Sequence, residues 1–132
     1  MPETEPIVIH EDECAPEGWD APLSSHFRWR TLISADRTST DSLTLGLAEI
    51  DPGEFEGLSL HRHEQVELYY ILAGEGVVSI SGTDYFVRPG STVFLPSNAE
   101  HGVRNTGAEQ LRILYVFPVD SFSEIQYKFG TR

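Results

Sequence analysis

His61-Arg62-His63-Glu64-Gln65-Val66-Glu67 and, beyond a gap, Pro96-Ser97-Asn98-Ala99-Glu100-His101-Gly102-Val103-Arg104-Asn105 are the stretches on which the reading of this chain turns. Between them they supply three imidazoles (His61, His63, His101) and one carboxylate, Glu67. Three nitrogen donors and one oxygen donor can hold one divalent transition metal and leave coordination positions open. A metal so held polarises a bound oxygen or activates a ligand, which makes it a reaction centre. Imidazole suits iron, nickel, copper and zinc, and a carboxylate extends the range to manganese. Iron is the first expectation, with manganese, nickel and zinc as alternatives.

Strand parity explains how these groups can meet. Alternate residues of a strand share a face, so His61 and His63 point the same way, and Glu67 and Tyr69 share a parity. Without a bulge between His63 and Glu67 all four face one interior; a turn at Glu64-Gln65 breaks that count. His101 must arrive on a separate strand, and a barrel brings such strands together. Taken singly, each ligand has a plainer reading: surface histidines, a solvated acid, a turn residue. Taken together they do not, because three of only five histidines fall in the two blocks. Glu67 also lies between Val66 and Leu68 in an apolar run, where a metal would offset the charge of a buried carboxylate.

The surrounding sequence reads as strands punctuated by turns. Strands are expected over Phe27–Ile33, Leu43–Ile50, Leu58–His63, Val66–Leu72, Val77–Ile80, Tyr85–Val87, Thr92–Leu95 and Leu111–Phe117. The separators include Asp51-Pro52-Gly53, Gly74-Glu75-Gly76, Ser81-Gly82-Thr83-Asp84 and Asn105-Thr106-Gly107. Regular short strands of this kind imply an all-β antiparallel sandwich or barrel. No long segment shows a helical period.

The chain has 132 residues, the size of a single domain. Its net charge of -12 makes nucleic acid an unsuitable partner, since phosphate binding needs a basic surface. There is no apolar run of membrane-spanning length and no basic-then-apolar leader. The lone Cys14 excludes internal disulfides and thiolate clusters. The expectation is a cytoplasmic protein without a membrane partner. Seven acids and no Lys or Arg fall within residues 3 to 20. Residues 1–22 therefore read as an acidic N-terminal arm and residues 23–132 as the barrel domain. Ile7-Val8-Ile9 is a candidate short strand for the domain or a partner subunit.

The two histidine blocks resemble the motifs of the cupin superfamily. His61, His63, Glu67 and Gly74 fit the first motif, and Gly90, Pro96, His101 and Asn105 fit the second. The match departs at Phe55, which takes the place of a leading glycine, and at Asn98, which replaces an internal one. Asparagine tolerates the left-handed turn such a glycine provides. From Phe27 to Phe129 the chain further resembles the short single-cupin dimethylsulfoniopropionate (DMSP) lyases. Arg28-Trp29, Leu45-Gly46-Leu47-Ala48-Glu49-Ile50, Asn98-Ala99-Glu100-His101 and the tail Phe117 to Tyr127 carry that likeness. The resemblance implies a single cupin jelly-roll barrel, with His61, His63, Glu67 and His101 as metal ligands. It implies Tyr69 as catalytic base and Tyr127 as a second active-site tyrosine, and it points to a homodimer, which would also cover open sheet edges.

The implied substrate has a carboxylate at one end and a sulfonium cation at the other. A metal-bound carboxylate and a base on the adjacent carbon would give elimination, and aromatic faces attract the cation. Trp29, Tyr127 and Phe27 are candidates to surround it, although core packing explains aromatic residues on a strand equally well. Two alternatives stay open: another metallo-cupin enzyme, a dioxygenase or isomerase acting on a small carboxylate, and a noncatalytic small-ligand-binding module.

Overall fold

Residues 3–18, 27–53 and 56–129 are described by the computed structural model. Ten strands run in chain order: β1 (Phe27–Ile33), β2 (Thr44–Ile50), β3 (Glu56–Arg62), β4 (Glu67–Ala73), β5 (Gly76–Ile80), β6 (Thr83–Val87), β7 (Thr92–Leu95), β8 (His101–Asn105), β9 (Leu111–Phe117) and β10 (Lys128–Phe129). They form two five-stranded antiparallel sheets, ordered β1-β2-β9-β4-β7 (sheet A) and β10-β3-β8-β5-β6 (sheet B). The chain crosses repeatedly from one sheet to the other, which is the jelly-roll pattern. The strands expected from sequence are present, with ends shifted by a residue or two. The β8 strand is the separate strand that His101 requires, and β10 is an addition whose two residues lack the apolar run that marks the others.

Alternation builds the core. On β4, Glu67, Tyr69 and Ile71 are buried, whereas Leu68, Tyr70 and Leu72 face outward. On β9, Leu111, Ile113, Tyr115 and Phe117 point inward with the same period. Sheet A supplies most of the core cluster, including Ile50, Ile71, Leu95 and Phe117, and sheet B adds Val78 and Val103. Each such side chain withdrawn from water contributes roughly 1.5–3 kcal/mol before entropy is counted.

Two turn residues follow from backbone geometry. Asn98 sits at φ 62, so the asparagine in place of glycine does adopt the left-handed region, and its N–H donates to the His63 carbonyl at 2.8 Å. Asn105 is structural. Its side-chain amide donates to the carbonyls of Ile50 (2.9 Å) and Glu109 (2.8 Å), and its oxygen accepts from the Gly107 N–H (2.9 Å).

The described part of the N-terminal segment lies against sheet A. Glu17 forms an isolated antiparallel bridge with Trp29 at the free edge of β1. The Glu17 carboxylate accepts from Arg37 (2.7 Å) and from the Thr31 hydroxyl (2.9 Å). Arg112 pairs with Glu11, and Arg30 donates to the Cys14 carbonyl at 2.8 Å. Ile7-Val8-Ile9 carries no strand within this chain, and Val8 is fully exposed. The boundary expected between residues 22 and 23 and the motif position Phe55 lie outside the described residues.

Candidate functional site

His61 is an inward residue of β3, placed opposite His101, the first residue of β8. His63 follows directly after β3, and Glu67 opens β4. A bend at Glu64-Gln65 separates the last two. Simple parity therefore does not carry across from His63 to Glu67. They meet because the chain leaves sheet B and enters sheet A at that bend, and both inner faces look into one interior. The Glu67 Oε1 lies 3.2 Å from His63 Nε2 and 3.4 Å from His101 Nε2. The ligand atoms of His61, His63 and His101 lie within 4.8 Å of one another.

The histidines are presented for coordination. Each Nδ1 faces a main-chain carbonyl two residues away: His61 that of Ser59 (2.7 Å), His63 that of Gln65 (3.0 Å) and His101 that of Ala99 (2.8 Å). A carbonyl only accepts, so each Nδ1 carries a hydrogen; Nε2 of His61 and His101 then presents a lone pair to the interior, and Nε2 of His63 faces the Glu67 carboxylate at 3.2 Å. All four side chains are buried, and His101 Nε2 has no hydrogen-bond partner. Burial, with repulsion from His101 next, lowers the His61 pKa from 6.5 to about 4, so its imidazole is neutral and ligand-competent at neutral pH. An orphaned buried nitrogen beside an acceptor-only carboxylate is poor protein packing and a good metal site. The donor set fits one divalent transition metal.

The cluster borders a small cavity of about 30 Å³. His61, Glu67 and Tyr69 line it together with Phe27, Trp29, Tyr115, Phe122 and Tyr127. The Tyr69 ring lies edge-on to His101, with centroids 6.3 Å apart. Tyr127 approaches His61 at 5.0 Å and His63 at 5.3 Å, between centroids. Trp29 sits farther away, 5.9 Å from Phe122, which is in turn 6.1 Å from Tyr127. Of the site residues expected from sequence, Trp29, His61, Glu67, Tyr69 and Tyr127 line this cavity, and His63 and His101 lie beside Glu67 at its margin.

The three phenols are held neutral in this environment. Burial raises the pKa of Tyr69 well above its ordinary value, and the Glu67 carboxylate and the neighbouring Tyr127 and Tyr115 push the same way. Tyr127 and Tyr115 are raised for the same leading reasons, burial and then Glu67. Tyr115 and Phe122 were not singled out from sequence. The inward parity of Leu111, Ile113, Tyr115 and Phe117 was a usable signal for the first. Phe122 stands in a short 3-10 turn over Phe122–Glu124, where no periodicity points to an interior.

Residues 46–117 match the model of the Cupin domain family, more than half of the chain. The chain belongs to the cupin family. Among characterised cupins, dimethylsulfoniopropionate lyase DddW of Ruegeria pomeroyi is 37% identical over 124 residues, covering 94% of this chain and 80% of the relative. An oxalate-binding protein of Thermotoga maritima is 35% identical over 86 residues, 64% of this chain and 69% of that protein. The structure of the polyketide cyclase RemF from Streptomyces resistomycificus superposes with a TM-score of 0.78 at 22% identity, covering 97% of this chain and 87% of that one, and attests the cupin fold alone. Within this cupin, among the described residues, no helix is long and apolar enough to cross a membrane.

Proposed function

We propose that this cupin is a metal-dependent carbon–sulfur lyase that cleaves dimethylsulfoniopropionate to dimethyl sulfide and acrylate. The observation that carries the reading is a three-histidine cluster beside Glu67, bordering a cavity lined by His61, Glu67, the buried phenol of Tyr69 and several aromatic rings. Relatedness to a DMSP lyase across 94% of the chain supports the choice of substrate.

His61, His63, Glu67 and His101 would hold the metal, iron by first expectation, with manganese, nickel or zinc as alternatives. The bound ion supplies Lewis-acid stabilisation of the substrate carboxylate and of the negative charge that develops beside it. Tyr69 takes the proton from the carbon adjacent to that carboxylate. The C–H electron pair becomes the second bond of the alkene, the C–S bond breaks, and its pair leaves on sulfur as neutral dimethyl sulfide. The products are acrylate, dimethyl sulfide and one proton. Burial and Glu67 oppose ionisation of Tyr69, so a cation at the four donors is what would bring its pKa back into a working range. Trp29 and Tyr127 present ring faces to the sulfonium, and Tyr127 also stands beside the reacting end. The proposed setting is the cytoplasm and the proposed working unit a homodimer.

A second reading follows from the oxalate-binding relative: small-carboxylate binding without turnover. Reconstituting the metal-stripped protein with iron, manganese, nickel or zinc in turn and measuring acrylate and dimethyl sulfide separates the two. The lyase reading expects equimolar products with at least one metal and no oxygen consumption. Saturable binding of a small carboxylate with no product under any metal would replace it with the binding reading, and oxygen uptake would replace it with a dioxygenase.

A further inference from the structure

Two features of Tyr115 work against stability, and packing explains neither. The residue is 7% exposed and lines the cavity, yet among the described residues its hydroxyl has no hydrogen-bond partner. A buried unpaired hydroxyl destabilises a fold, and phenylalanine would fill the same space without it. The second feature is Gly46. A Cβ at that position would lie 2.2 Å from both the terminal ring carbon and the hydroxyl oxygen of Tyr115, so any larger residue would push the phenol out of its place. Glycine inside a strand gives up backbone freedom and packs nothing.

Together the two features fix where the hydroxyl stands. One row of the inner face of sheet A runs Thr31, Gly46, Tyr115, Tyr69 across β1, β2, β9 and β4. Tyr115 leans over Gly46, so its hydroxyl lies over β2, on the side away from β4, which carries Glu67 and Tyr69. The β2 and β4 strands are two strand spacings apart, ~10 Å. Beyond β2 lies β1 with Phe27 and Trp29. Among the described residues no Lys or Arg lines the cavity, and Glu67 is the one acid that does.

We propose that Tyr115 is a further substrate-contact residue: its hydroxyl oxygen, set in place by Gly46, receives the methylated cationic end of a ligand whose carboxylate meets the metal. The inference rests on the ligand class proposed above, a carboxylate bearing an onium cation, and not on the elimination step. A positive charge polarises the methyl C–H bonds next to it, and a phenol oxygen accepts such weak donors. A carboxylate in that place would instead bury a second charge. The cavity of about 30 Å³ is smaller than such a ligand, so a wall gives way on binding. Tyr115 cannot retreat, because the Gly46 backbone stands behind its tip. Phe122, in a 3-10 turn outside the sheets, is the wall with freedom to shift. Tyr115 is therefore the fixed surface against which the cation is read.

Calorimetry with an isosteric pair of ligands separates this contact from mere shape. The compounds 3-(trimethylammonio)propionate and 4,4-dimethylpentanoate share their size and carboxylate and differ in the charge of the branched end. The metal-reconstituted wild type is expected to bind the cationic compound more tightly. Tyr115→Phe is expected to cut that preference by roughly threefold to tenfold, as the loss of a few C–H···O contacts requires, and to leave affinity for the neutral compound within about twofold. An equal fall in both affinities makes Tyr115 a wall and overturns the inference. So does an unchanged preference, a wild type without one, or binding of neither compound. The zinc-loaded wild type gives a readout that a misfolded variant cannot disturb: nuclear Overhauser contacts from the ligand methyl groups to the Tyr115 ring. Their presence is expected, and their absence overturns the inference. A wild type that prefers the cation but releases no acrylate from dimethylsulfoniopropionate would end the lyase reading and leave the Tyr115 contact standing.

Discussion

At the scale of single residues, the account rests on which side chains hold the metal and which moves the proton. Tyr69→Phe keeps the ring and removes the hydroxyl, so metal content should be unchanged while lyase turnover falls by about a hundredfold or more, the usual worth of a positioned base. Elemental analysis beside a product assay checks both halves, and full turnover in that variant would remove Tyr69 from the mechanism. Much of this candidate site was legible from sequence because its donors are short-range signals: His-x-His sets two imidazoles on one face, and Glu67 stands in the apolar run that begins at Val66. The link from His63 to Glu67 was not legible, since it depends on the crossing between sheets at Glu64-Gln65 and not on parity. Phe122 was invisible for a related reason: a residue in a 3-10 turn has no alternation to reveal its direction.

At the scale of elements, close approach between neighbouring strands sets the cavity wall. Gly46 on β2 faces Tyr115 on β9, and a Cβ at position 46 would lie 2.2 Å from the phenol ring. Gly46→Ala must therefore displace Tyr115 into the cavity or force the strands apart. A loss of about 1–3 kcal/mol in a denaturant titration is expected, as for an overpacked core. An unchanged midpoint would show that the ring has room to spare. The N-terminal segment makes a second prediction. Arg37, with Thr31, holds the Glu17 carboxylate below its ordinary value of 4.5, against the opposing effect of burial. A group depressed in the folded state stabilises it above the unfolded value, and that contribution disappears as pH falls through the lowered one. Limited proteolysis of residues 3–18 should accelerate as pH drops below about 4.5 in the wild type. In Glu17→Gln it should be faster already at neutral pH and depend less on pH. Identical profiles would mean that Glu17 does not anchor the segment. Sequence composition showed the acids of this segment but not their partners, because Arg37, Arg30 and Arg112 come from distant stretches of the chain.

At the scale of the whole molecule, a cluster of buried donors should couple the stability of the fold to metal binding. A ligand bound only by the folded state adds roughly 4 kcal/mol when present at a thousand times its dissociation constant. Thermal unfolding of the metal-loaded protein should accordingly shift upward relative to chelator-treated protein, and His101→Ala should erase most of the difference. Alternation, turn residues and the two histidine blocks made the jelly roll legible as a whole. The order of strands within each sheet was not, because pairs such as β2 with β9 and β3 with β8 join segments far apart in sequence.

The claim beneath all of this is that three imidazoles and one carboxylate grip a single cation. X-ray absorption fine structure at the edge of the reconstituted metal reads that arrangement directly. The account predicts one metal per chain, with nearest-neighbour scattering from nitrogen and oxygen and the multiple-scattering signature of three imidazoles, reduced to two in His101→Ala. A spectrum of oxygen neighbours alone, or one unaltered in that variant, would contradict it.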